Sequence, residues 1–248
     1  MMAEPRPLSR HPIREALVDI RIAADPAVDA TLLEILRSRL SADYPHADER
    51  REVKAELRIE AGKLLPPSAQ DLGFHGLVFS TADKTRHAQF RRDGFTLNHL
   101  GPYSGADPLI VEALRLWDMY REVVKPVGVT RLAMRYINQL ELPYRQGDDF
   151  SRFLTGAPQM PAGAPQQVSS FLARMVAHDP PDVVIVTQKL EHVPVEKTAP
   201  VILDVDAFRP EALSPDREGL EVVLRGLRIL KNRVFFALLT DEAVGLYV

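Results

Sequence analysis

The signals for secondary structure along this chain run twice through one order: a strand, a helix, a run of strands and a long closing helix. The first pass covers roughly residues 13–125 and the second roughly 129–241. This doubled order constrains the fold more than any local motif. Each pass supplies strands with one apolar face and helices with one apolar stripe, and such surfaces must be buried against one another.

In the first pass, Ala16–Ile22 is a short β-prone run, and Leu32, Leu33, Leu36 and Leu40 recur at helical spacing until Tyr44-Pro45. Glu52–Ala61 alternates: Val53, Ala55, Leu57 and Ile59 share one side, and Glu52, Lys54, Glu56, Arg58 and Glu60 the other, which predicts a strand with one wet face. Strands are predicted at Phe74–Thr81, Arg86–Arg92 and Phe95–Leu100, with Arg92-Asp93-Gly94 as a hairpin turn. Asp107 as N-cap, followed by Pro108, predicts a helix with Ile110, Ala113, Leu114, Trp117 and Val124 on its buried stripe, closed by Lys125-Pro126. The second pass opens with Val129–Leu142. There Leu132, Met134, Tyr136, Leu140 and Leu142 fall on one face, and Arg131, Arg135, Gln139 and Glu141 on the other. A short helix at Phe150–Leu154, a mobile loop at 155–167, strands Ser169–Ala177, Val183–Glu191 and Val201–Phe208, and a helix capped at Ser214-Pro215 complete it. The last helix carries Leu220, Val223, Leu224, Leu227, Val234 and Leu238.

The expected fold is therefore α+β: a flexible arm at 1–11, then halves 12–126 and 127–248 in one integrated unit. A curved antiparallel sheet backed by two long helices resembles, in element order, the duplicated saddle of the TATA-binding-protein fold. A helix-grip fold, in which the sheet wraps the C-terminal helix around a small-molecule cavity, is the competing layout.

Composition excludes some chemistry. The chain has no cysteine, so disulfides, thiolate catalysis and Cys-ligated metal centres are out. The net charge of −3 shows no overall basic excess of the kind nucleic acids attract. No signal-peptide core is evident at the N-terminus, and no stretch reaches the roughly 18 apolar residues of a membrane helix, so a cytoplasmic protein that does not engage membranes is expected.

Asp204 and Asp206, two apart on a strand, share a face and are candidates for holding Mg²⁺ in phosphoryl transfer. The plainer reading is that they pair with Arg or Lys on neighbouring strands. Arg131 and Arg135, joined by Arg174 and Lys189, are candidates for a basic track across the sheet; equally, they neutralise nearby carboxylates. Asn138 sits on an apolar face, where a buried amide must find partners, and is read as structural. His75, His87 and His99 lack ligand spacing and a partnered nucleophile. Phe74, Phe79, Phe90 and Phe95 are read as core. No phosphate-binding loop, dinucleotide fingerprint, nucleophile elbow or zincin motif is present, and no cofactor is expected.

Four segments carry a family resemblance. His11-Pro12-Ile13-Arg14-Glu15-Ala16 with Asp19-Ile20-Arg21, Arg135-Tyr136-Ile137-Asn138, Asp204-Val205-Asp206, and Phe235 with Leu239-Thr240 stand in order along nearly the whole chain. Together they resemble a sporadically distributed prokaryotic family of about this length, with no established activity. That family commonly has a His two helical turns before the Phe; Arg228 stands there instead. The resemblance implies a shared fold and no known reaction, and its sporadic distribution fits mobile defence or toxin–antitoxin loci.

These signals favour a non-enzymatic binding or adaptor protein that meets a protein partner through its sheet face. Three alternatives compete: a nucleic-acid-binding module, a metal-dependent enzyme on a nucleotide or phosphate ester using Asp204 and Asp206, and a small-molecule carrier with an apolar cavity under the C-terminal helix.

Overall fold

The computed structural model describes residues 2–56, 59–60, 63–64, 68–144, 148–191 and 198–248. Among them are eleven strands: β1 (Ile13–Arg21), β2 (His46–Glu56), β3 (Ile59–Glu60), β4 (Lys63–Leu64), β5 (Ser68–Ser80), β6 (Arg86–Arg91), β7 (Gly94–His99), β8 (Arg131–Leu142), β9 (Phe171–Asp179), β10 (Asp182–Leu190) and β11 (Ala199–Arg209). The helices are α1 (Ala30–Leu40), α2 (Ala106–Val124), α3 (Arg217–Ala237) and α4 (Asp241–Gly245), with a 3₁₀ turn at Phe150–Arg152.

Nine strands form one curved antiparallel sheet in the order β2–β5–β6–β7–β1–β8–β11–β10–β9; β3 and β4 pair separately. β1 and β8 meet at the centre, with Val18 opposite Met134 and Ile20 opposite Leu132. Outward from that junction lie β7, β6, β5 and β2 on one side and β11, β10 and β9 on the other.

α2 and α3 lie side by side on one face of this sheet, with α1 beside α2. Their stripes close the core. Leu33, Leu36 and Leu40 of α1, Ile110, Leu114 and Trp117 of α2, and Leu220, Leu224 and Leu227 of α3 are all fully buried. Phe79, Phe90 and Phe95 form a buried aromatic row beneath Tyr120, whose hydroxyl donates to the Arg91 carbonyl at 2.7 Å. Trp117 Nε1 donates to the Pro215 carbonyl at 3.0 Å, tying α2 to the start of α3. The expected hairpin turn forms between β6 and β7. Gly94 takes φ 139°, and a Cβ there would come 2.1 Å from the Ile20 carbonyl oxygen.

Several expectations are corrected. β2 starts earlier than the alternation at Glu52–Ala61, at His46; Leu57, Arg58 and Ala61 lie outside the described residues. Val53 is 59% exposed, because β2 is an edge strand that runs past the cover of the helices. The N-cap of α2 is Gly105 rather than Asp107, and Asp107 instead binds Arg225 and Arg228 on α3. α3 is capped by Asp216, which accepts from the Gly219 N–H at 2.7 Å, two residues beyond Ser214. The segment expected as an arm lies against the C-terminal residues. Ala3 is buried and donates to the Leu239 carbonyl, and Arg10 donates to the Leu246 and Tyr247 carbonyls.

Two substitutions test this division between core and edge in urea unfolding. Trp117→Ala is expected to cost about 3–5 kcal/mol. Val53→Asp, although it breaks the cleanest apolar alternation in the sequence, is expected to stay within about 0.5 kcal/mol of the parent.

Candidate functional site

The two faces of the sheet differ in kind. The centre of the helix-free face carries charges that are already matched. Arg135 forks onto Asp204, Nε to Oδ1 at 2.9 Å and Nη2 to Oδ2 at 2.5 Å. Arg131 binds both oxygens of Asp206 at 2.8–2.9 Å and reaches Asp19 at 3.0 Å. Asp19 also accepts from Thr96 Oγ1 at 2.6 Å, Arg91 at 3.1 Å and Arg21 at 3.0 Å. Burial works to raise the Asp19 carboxyl; the Thr96 hydrogen bond and the charges of Arg91 and Arg21 overcome it and hold it below its ordinary value. Burial prevails at Asp206, which stands above its ordinary value despite Arg131 and Arg135.

The register places Arg131, Arg135, Arg174 and Lys189 on this same face. They do not make a free basic track. Arg131 and Arg135 are matched as above, and Lys189 binds Glu191 at 2.6 Å. Arg174 is exposed and has no charged partner among the described residues. The oxygens of Asp204 and Asp206 are occupied by guanidinium groups, so a divalent cation would have to displace an arginine. Among the described residues no three His, Asp or Glu side chains are grouped to hold a metal ion. His75, His87 and His99 sit apart, His87 on Ser80 at 2.8 Å and His99 on the helix side.

The helix side holds a different feature: a pocket of about 340 Å³. Its walls are residues 6–8 and 11–13, the 103–106 loop that enters α2, Asn138 of β8, and α3 from Arg228 to Phe236. Leu8, Pro12, Ile13, Phe235 and Phe236 make it apolar. Arg6, Arg228 and Lys231 line it, and among the described residues no carboxylate side chain does. Arg6 and Arg228 are engaged by Asp241 and Asp107. Lys231 is only 8% exposed and has no carboxylate partner among the described residues.

Lys231 Nζ lies 3.6 Å from the centre of the Tyr136 ring. A ring face favours the ammonium by roughly 0.5–2 kcal/mol. Desolvation of a fully buried lysine opposes it with up to about 3–5 pKa units. Burial wins: it pulls the amine down to about 7, with the Arg228 charge adding to it. Beside it the Tyr136 and Tyr103 hydroxyls share a 2.6 Å hydrogen bond, and burial pushes both phenols up, so both stay protonated. Tyr103 meets His11 edge-on. Asn138 donates to the Leu203 carbonyl at 2.9 Å and lies opposite the β1 bulge at Ile13/Glu15, bonding backbone as expected. Gly105, at φ 120°, leaves the first N–H groups of α2 without a capping side chain where they border the pocket.

Comparison with protein-family models, with curated proteins and with solved structures gives no match.

His11, Pro12, Ile13, Asn138, Arg228 and Phe235, all singled out in the sequence, line this pocket, whereas Asp204 and Asp206 lie on the opposite face. Lys231 and Tyr103 were missed. Lys231 had a signal: four residues after Leu227, it is a charge within the apolar stripe of α3.

In the unfolded chain the Lys231 amine returns to its ordinary value of 10.5, against about 7 in the fold. Between those values the unfolded chain holds a proton that the folded one does not, so this group's contribution to stability rises with pH across that window and is poorest below it. Lys231→Met is expected to gain on the order of 1–3 kcal/mol over the parent in urea unfolding at about pH 6, and to lose that advantage by about pH 10. Arg6, His11, Arg228 and Tyr103, which share the pocket with Lys231, and Tyr136, whose ring it covers, are present in both proteins.

Proposed function

We propose that this protein binds a small anionic molecule in the pocket beneath α3, as a binding protein. One observation carries the reading: among the described residues, Lys231 is buried without a counter-ion at the wall of a cavity that has cationic and apolar lining and no acid. An isolated buried amine is costly to keep, and a ligand carboxylate or phosphate is the group that would offset that cost. The N–H groups of Ala106 and Asp107 at the start of α2, which no side chain caps, favour the same charge. At about 340 Å³ the space suits a metabolite-sized molecule rather than a peptide or a base-paired strand.

The adaptor reading through the helix-free face has thinner support, because three of its four cations are internally matched. We also infer that the two sheet halves descend from one duplicated, saddle-like unit. The strand order outward from β1 and β8 supports it, although among the described residues β2 has no counterpart in the second half.

Thermal unfolding with oxalate, pyruvate or inorganic phosphate in millimolar excess tests the pocket. At least one is expected to stabilise the wild type, by about 2.7 kcal/mol at a hundred times its dissociation constant, and to leave Lys231→Met unshifted. No shift with any of the three, or equal shifts in both proteins, would overturn the reading.

A further inference from the structure

We infer that Lys231 is a carbonyl-capturing amine, and that the pocket takes a small 2-oxo acid whose carbonyl carbon condenses with Nζ to an imine while Arg228 and the α2 N-terminus hold its carboxylate. The inference rests on the anionic-ligand reading above and adds the reaction.

The lack of a counter-ion leaves the amine open to an anion, but desolvation and a second cation beside it also work against the proton that such attraction needs. Arginine, or a paired lysine, would do that work with its charge secure. The surroundings of Lys231 do the opposite. The apolar walls of Phe235 and Phe236, the neighbouring Arg228 and the absence of a lining carboxylate among the described residues all favour the free base, the form whose nitrogen lone pair attacks carbonyl carbon. The downward pull on its proton affinity agrees with that geometry.

The neighbouring groups suit the remaining steps. The Nζ lone pair forms the C–N bond as the carbonyl π bond breaks, and the oxygen takes up a proton to give a carbinolamine. The C–O bond then breaks, the oxygen leaves as water with a second proton, and nitrogen gives up its protons to leave C=N. The sum is amine plus carbonyl giving imine plus water, with no oxidant or reductant. Tyr103 lines the pocket and is hydrogen-bonded at 2.6 Å to Tyr136, whose ring Nζ covers, a hydroxyl pair through which a proton can pass to oxygen and return from nitrogen. Both phenols remain donors near neutral pH. The Arg228 guanidinium, anchored by Asp107 at 2.9 Å, is fixed at the pocket rim where a carboxylate adjacent to the carbonyl would lie.

The whole protein is incubated with pyruvate or glyoxylate and sodium borohydride at about pH 7, and read by intact mass and peptide mapping. One reduced lysine adduct per chain, on Lys231, is expected, forming at least about ten-fold faster than on any exposed lysine, because near neutral pH an exposed lysine amine is almost wholly protonated; the α-amino group is mapped separately. Lys231→Arg keeps the charge and cannot form an imine, so it is expected to lose the adduct. Lactate, which lacks the carbonyl, is measured alongside by thermal shift. Stabilisation by lactate and pyruvate alike, with no adduct on Lys231 when exposed lysines begin to label, would overturn the imine and leave the anion site standing. No stabilisation and no adduct with any of them would overturn the imine, and the absence of a shift with oxalate and phosphate as well would overturn the anion site. Adducts scattered equally over wild type and Lys231→Arg would overturn the imine.

Discussion

The antiparallel pairing of β1 with β8 is the contact on which the remaining structure depends. It joins strands more than a hundred residues apart, and it turns what would be two smaller sheets, each with an extra open edge, into one sheet with a continuous core face. Ala16, Val18 and Ile20 of β1 and Leu132 and Met134 of β8 are all fully buried there. The same register brings Asp19 to Arg131 on one face and Ile13 to Asn138 on the other. A slip by one residue would turn every one of these side chains to the wrong side.

The two faces handle charge differently. On the helix-free face each guanidinium at the centre of the sheet meets a carboxylate in a forked or shared geometry, so the charges fix the relation of neighbouring strands and are not free for a visitor. Under α3 the acids, Asp107 and Asp241, stand outside the lining and hold the arginines, and the lysine is left without one. Local charge is balanced in the first place and left open in the second, and that contrast separates scaffold from site.

Much of the fold was legible because periodicity reports which way side chains point. The faces of β8, the stripes of α2 and α3, and the Asp-Gly hairpin follow from it. Periodicity does not report what lies above a face. The alternation around Val53 is as clear as that of β8, yet β2 is at an edge and Val53 meets water. The helix starts slipped for a related reason: Asp107 is a fair capping residue by type, but two arginines of α3 claim its carboxylate. The pairing of Arg131 and Arg135 with the aspartates was one of the readings the strand pattern allowed, since opposite charges on one face of adjacent strands will meet. The pocket was less accessible. Residue 6, residue 103 and residue 231 are related only through tertiary packing, and no spacing rule connects them.

Residues 6–13 form one wall of the pocket and α3 another, and the two are fastened by bonds such as Arg10 to the Leu246 carbonyl, 236 positions apart in sequence. Occupancy of the pocket and attachment of that segment to the body are therefore linked quantities. Any molecule that touches both walls slows the segment's detachment, and any influence that loosens the segment weakens retention of the molecule by the same factor. Hydrogen exchange in residues 6–13 is consequently a readout of what the pocket holds, even though no amide there need touch it.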